Sequence, residues 1–145
     1  FTVANGSSVY VVDSKTAEIL IVEEFEASVA KIGYSPDGRH LAVGTESELR
    51  ILDSTTGEVV FETDAPYPLF GFSRDAERLV WASARKQSDV QVIDTRSFKP
   101  VFMRSKTIDD RSSVCLSDDG KKVFIGLKDS RIECWELAKL SRSVR

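Results

Sequence analysis

Histidine occurs once in this chain, as His40. A single imidazole rules out Ser-His-Asp triads, histidine-based zinc sites and facial iron triads. His40 stands at the start of an apolar segment beside Gly38, where an ordinary surface role is expected. Cysteine occurs twice, as Cys115 and Cys134, with no CxxC spacing. The sequence therefore predicts two reduced core thiols rather than a disulfide or metal site, and an intracellular setting, cytoplasmic or nuclear. No apolar run approaches the roughly 18 residues that a membrane-spanning helix needs. No basic, apolar, small-residue leader opens the chain. Glycine-rich phosphate loops and nucleotide fingerprints are missing too. The carboxylate pairs Asp109-Asp110 and Asp118-Asp119 lack EF-hand spacing, and the second is explained by a turn. Together these absences predict no catalytic residue, no cofactor and no metal: a protein that is not an enzyme.

What the chain does have is repetition. Four six-residue segments align without gaps: SVYVVD at 8–13, ELRILD at 48–53, DVQVID at 89–94 and RIECWE at 131–136. Each alternates polar and apolar residues, then closes with two apolar residues and an acid. The acids at 13, 53, 94 and 136 lie 40, 41 and 42 positions apart. Alternation of period two predicts strands, and periods of 20–50 residues signal propellers or solenoids.

The neighbours of these segments repeat as well. Shortly after the first three acids comes another apolar run, at 19–22, 59–61 and 100–103, and the residues between have hairpin chemistry. Asp53 can accept backbone N–H bonds two residues on, and Gly57 can take positive φ. Before each motif lies an unbroken apolar strand, at 1–4, 41–44, 79–82 and 123–126, as expected where both faces are covered. A further strand precedes a serine-led turn: SPDG at 35–38, SRDA at 73–76 and SDDG at 117–120. Ala76 replaces the glycine, which predicts a looser or strained turn. Naming the strands a to d gives b-c-d, then a-b-c-d twice, then a-b-c. A last d strand would fall near 140–145, which is too polar to match.

SPDG followed by LAVG and LRILD, with the acid-ended motifs and Trp135, resembles the WD40-repeat β-propeller family along essentially the whole chain. The resemblance implies an all-β partial β-propeller of about 3.5 four-stranded antiparallel blades, near 1–26, 27–65, 66–106 and 107–145. No Gly-His dipeptide precedes an a strand, so the family's His, Ser/Thr, Trp and Asp tetrad is not assembled. Asp129 and Trp135 are its expected remnants. Because a ring needs roughly 4–8 blades, the missing blades are expected from a parent chain, a second chain or a second copy.

The resemblance implies a non-catalytic scaffold or protein–protein interaction module. The alternative is the propeller portion of a multidomain enzyme, for example a peptidase-associated ring that gates or positions a separate catalytic domain. The third option is a reader of acidic or phosphorylated ligands. If the propeller reading holds, the d–a and b–c connections share one rim, where the resemblance implies that partners bind. Tyr67, between Pro66 and Pro68, is either a stiff aromatic anchor there or packs beneath its own loop. Arg85, Lys86, Lys106, Arg111 and Lys128, with Arg104, form a basic part of the rim. It follows a charge asymmetry: residues 1–64 carry 4 basic and 12 acidic side chains, residues 65–145 carry 16 and 11. Asp109 and Asp110 dilute it, and no aromatic ladder accompanies it, which disfavours nucleic acid. Glu23, Glu24 and Glu26 are expected in a solvated loop.

Overall fold

The computed structural model describes residues 1–83, 90–104, 111–127 and 130–137. Among the described residues the protein is all-β, with no helix. Its strands form four sheets, antiparallel throughout and ordered as in the sequence. The first sheet holds β1 (Thr2–Asn5), β2 (Ser8–Val12) and β3 (Ile19–Glu24). The second holds β4 (Val29–Tyr34), β5 (His40–Thr45), β6 (Glu48–Asp53) and β7 (Val59–Asp64). The third holds β8 (Pro68–Phe72), β9 (Arg78–Ser83), β10 (Val90–Asp94) and β11 (Pro100–Arg104). The fourth holds β12 (Arg111–Leu116), β13 (Lys122–Leu127) and β14 (Ile132–Glu136). The polar segment at 138–145 lies outside the described residues.

Turn chemistry sets these boundaries. In the serine-led turns the Ser35, Ser73 and Ser117 hydroxyls donate to the carboxylates of Asp37, Asp75 and Asp119 at 2.6, 2.6 and 2.7 Å. Each carboxylate then accepts the backbone N–H two residues on. The fourth position takes positive φ in all three turns: Gly38 at 73°, Ala76 at 59° and Gly120 at 62°. The SRDA turn is therefore strained rather than looser, since Ala76 still donates its N–H to the Ser73 carbonyl at 3.0 Å. In the hairpins after the acid-ended motifs, Asp13, Asp53 and Asp94 each accept two backbone N–H bonds from the residues that follow. The fourth residue after each acid, Ala17, Gly57 or Phe98, is again left-handed. Even the bulges recur, between Val11 and Val12, Ile51 and Leu52, and Val92 and Ile93.

Consecutive sheets meet face to face across three apolar seams. Val9, Val11 and Phe25 pack against Leu41, Val43 and Leu52. Leu49, Ile51 and Ala42 pack against Leu79, Trp81, Phe70 and Ile93. Val90, Val92 and Val80 pack against Val123, Ile125 and Trp135. At every seam the second and fourth residues of one motif point forward to the next sheet. The next sheet answers with two residues of its unbroken apolar strand and the fifth residue of its motif. Loss of contact with water by these side chains, about 1.5–3 kcal/mol for each fully buried Leu, Ile or Val, is the main force holding sheet to sheet.

Two expectations fail at the ends of this stack, for one reason. β5 and β9 are buried along nearly their whole length, as strands covered on both faces should be. β1 is mostly exposed and β13 alternates, because no described element covers the outer faces of the first and fourth sheets. The cysteines are not core residues either. Register places Cys115 opposite Phe124 and Phe124 opposite Cys134, and both free thiols lie exposed on that outer face.

Candidate functional site

The chain leaving a sheet crosses the turn between that sheet's two preceding strands. After β3, Phe25 donates its N–H to the Ser7 carbonyl at 2.9 Å and Val29 donates to Gly6 at 2.8 Å. After β7, Ala65 donates to Ser47 and Tyr67 to Thr45, both at 3.1 Å. These bonds draw the two kinds of connection into one rim, with Phe25 and Ala65 buried beneath it.

Tyr67 is the most constrained residue of that rim. Its φ is 50°, a conformation that costs a bulky side chain roughly 1–3 kcal/mol and persists only when its surroundings enforce it. The enforcement is visible. Pro66 offers its carbonyl to the Ser83 hydroxyl at 2.8 Å. Pro68 is buried against Gly44, where a Cβ would come within 2.5 Å of the proline ring. The side chain is half-buried, so part of its surface is sequestered and part faces solvent.

The other predicted rim residues are not brought together among the described residues. Arg85, Lys86, Lys106 and Lys128 lie outside the described residues, as do Asp109, Asp110 and Asp129. Arg111 is placed by its backbone at the start of β12, opposite Leu127. Arg104 sits over the ring of Trp135, 4.6 Å from its centroid, so its cation is engaged between the third and fourth sheets. Trp135 donates its indole N–H to Glu133 at 3.2 Å.

Sequence reasoning missed Arg50. Tyr10, Gln91 and Glu133 occupy the matching motif position, so the one arginine among four was the available signal. Its guanidinium lies 3.1 Å from Glu48, 3.8 Å from Glu62 and 3.9 Å from Glu23, and 5.1 Å from the Phe25 ring. Glu23 and Glu24 are thus strand residues, and Glu23 reaches across the first seam instead of lying in a solvated loop. Glu48, Arg50, Glu62, Thr63 and Asp64 line an open hollow of about 420 Å³. Three carboxylates against one cation leave it negative, suited to a basic side chain rather than to phosphate.

His40 is half-buried, edge-on to Phe98 with ring centroids 5.4 Å apart. Asp118 pairs with Arg74 at 3.2 Å, while Asp119 belongs to its turn. Among the described residues no three His, Cys, Asp or Glu side chains converge as metal ligands. Nor is any helix there long and apolar enough to cross a membrane. No protein-family model matches the sequence, and no curated protein matches it.

Proposed function

We propose that this chain is a WD40-like arc of a β-propeller, about 3.5 blades of a larger ring, acting as a non-catalytic scaffold that binds protein partners along its loop rim. The observation carrying this reading is Tyr67: an aromatic fixed in a left-handed conformation between two prolines, anchored to Thr45 on one side and Ser83 on the other. A pre-fixed aromatic buries area on binding with little ordering entropy to lose. The acidic hollow around Arg50 supports a partner with basic side chains. Two unpaired thiols fit a reducing compartment. The phosphate-directed reading keeps Arg111, at the start of β12, and otherwise only residues outside the described set, with Arg104 committed to Trp135.

Quantitative affinity capture tests the proposal. Proteins retained by the wild type and by Arg96→Ala, on the opposite rim, should be lost with Tyr67→Ala. Equal retention by all three would overturn the rim assignment.

A further inference from the structure

Asn5 is the only asparagine in the chain, and Gly6 follows it. The pair opens a rim turn: Asn5 and Ser8 close the β1–β2 hairpin in register, with Gly6 and Ser7 between them. Gly6 takes a φ of 62° and Ser7 stays out of the left-handed region, as in a type II′ turn with glycine at its first central position. The bond that closes such a turn joins Asn5 to Ser8, so it does not use the Gly6 N–H. Among the described residues neither that N–H nor the Asn5 carboxamide has a hydrogen-bond partner. Both residues are exposed, and nothing lies within 4 Å of the place a Gly6 Cβ would take.

The chain also holds two Asp–Gly pairs, Asp37–Gly38 and Asp119–Gly120, and their turns engage every group that Asn5 and Gly6 leave free. Gly38 and Gly120 donate their N–H to the Ser35 and Ser117 carbonyls, both at 2.8 Å. The two carboxylates are held by the serine hydroxyls and by the N–H two residues on. Those bonds also lower both pKa values, and a carboxylate ion resists attack at its carbon.

The geometry points to Asn5 as a site of spontaneous covalent modification, converted through a cyclic imide with Gly6 to aspartate and isoaspartate. A solvent base takes the Gly6 amide proton, and the nitrogen attacks the Asn5 side-chain carbonyl carbon. The new C–N bond closes a five-membered ring. The Cγ–Nδ2 bond breaks, and its nitrogen leaves as ammonia with a proton from water. Glycine suits the step because it has no side chain to crowd the attack. Water then adds to one of the two ring carbonyls. Opening at the side-chain carbonyl gives aspartate, and opening at the backbone carbonyl gives isoaspartate, whose main chain runs through the former side chain. No electrons are exchanged, and water is the only reactant consumed. The longer main chain falls in the turn that holds the passing connection, where Gly6 accepts the Val29 N–H and Ser7 the Phe25 N–H. It therefore loosens the rim above Phe25, which is buried in the first seam. The new carboxylate also joins the row of Ser8 and Glu24, adding a like charge.

Incubation of the folded chain at mildly alkaline pH, followed by peptide mapping with mass spectrometry and isoaspartate-specific methylation, tests it. Asn5 should gain the mass of an amide-to-acid exchange, with ammonia released in equal amount and more isoaspartate than aspartate formed. The rate should rise several-fold with each unit of pH, because the nucleophile is the deprotonated amide. Asn5→Gln, whose closure needs a six-membered ring, should stay unmodified. Hydrogen exchange at Phe25 and Val29 should be faster in aged than in fresh wild type, and unaltered by ageing in Asn5→Gln. Folded wild type that keeps its Asn5 amide overturns the inference, as does isoaspartate arising at Asp37 or Asp119 as fast as at Asn5. Equal exchange in aged and fresh wild type would overturn the loosening of the rim. None of these results bears on the Tyr67 assignment, which partner capture tests separately.

Discussion

The Lys31 ammonium donates to the Phe70 carbonyl at 2.7 Å and lies 4.5 Å from the centroid of the same residue's ring, fastening β4 of one sheet to β8 of the next. Partial burial of the ammonium holds its pKa below the ordinary lysine value of 10.5. A base whose folded pKa is lowered sheds its proton in the folded state first. Stability therefore rises as pH climbs from the folded pKa toward 10.5. Lys31→Met should lose about 0.5–1 kcal/mol near neutrality, the low end because the residue is largely exposed. It should also lose the alkaline rise. Urea midpoints for both proteins between neutral pH and pH 10 check this, and parallel curves would refute the clamp.

The three hairpins after the acid-ended motifs offer a test of backbone strain. Ala17 and Gly57 share the left-handed conformation, at 60° and 79°. Ala17 is exposed, so Ala17→Gly should stabilise by about 1 kcal/mol. Gly57→Ala should destabilise by at least as much, because its Cβ would also sit 3.0 Å from Ile21. Ala76→Gly relieves the same strain but removes a buried methyl worth about 0.8 kcal/mol, and should be near neutral. Chemical denaturation of the three variants separates these cases. A gain at Ala76 as large as that at Ala17 would mean the methyl is not packed.

Gly44 and Gly33 are both strand glycines, yet only one is demanded by packing. A Cβ at Gly33 would meet Phe70 at 3.5 Å, an ordinary contact, whereas at Gly44 it would meet the stiff Pro68 ring at 2.5 Å. Gly44→Ala should cost about 1–3 kcal/mol by overpacking, and displace the Pro66–Tyr67–Pro68 segment. Gly33→Ala should cost well under that. Comparing their melting temperatures decides the point, and partner capture by Gly44→Ala should fall as it does for Tyr67→Ala.

The strands were legible because turn chemistry and period-two alternation are local, and each repeat states them afresh. Val9, Leu49, Val90 and Ile132 read alike in sequence, yet three are buried and Ile132 is open. Which sheet lies against a given face is a property of the stack, not of the strand. The same holds for Cys115 and Cys134, whose apolar strand context suggested a core. Arg50 was hidden because its partners Glu23, Glu48 and Glu62 come from three strands of two sheets. Tyr67 was visible as Pro-Tyr-Pro, but its left-handed φ follows from anchors at Thr45 and Ser83 that no neighbouring residue announces.

The serine-led turns should make the fold sensitive to acid. Asp119 is drawn down to about 2 by the Ser117 hydroxyl first, then by the Lys121 backbone N–H and side chain. The Ser35 hydroxyl lowers Asp37, and backbone N–H bonds, from Thr16 and Thr56 foremost, lower Asp13 and Asp53. Burial pushes Asp94 up, but bonds from Ser97 and Arg96 outweigh it and leave its pKa lowered. For a carboxyl with a depressed folded pKa, the stabilisation is complete above the unfolded value of 3.8 and is lost as pH falls through the folded one. Melting temperature should therefore be insensitive to these groups at neutral pH and fall between about pH 4 and pH 2. Asp119→Asn should melt below the wild type at neutral pH, show a shallower fall in acid, and converge with it near pH 2. A gap that stays constant down to that pH would show that the Asp119 charge contributes nothing to the turn.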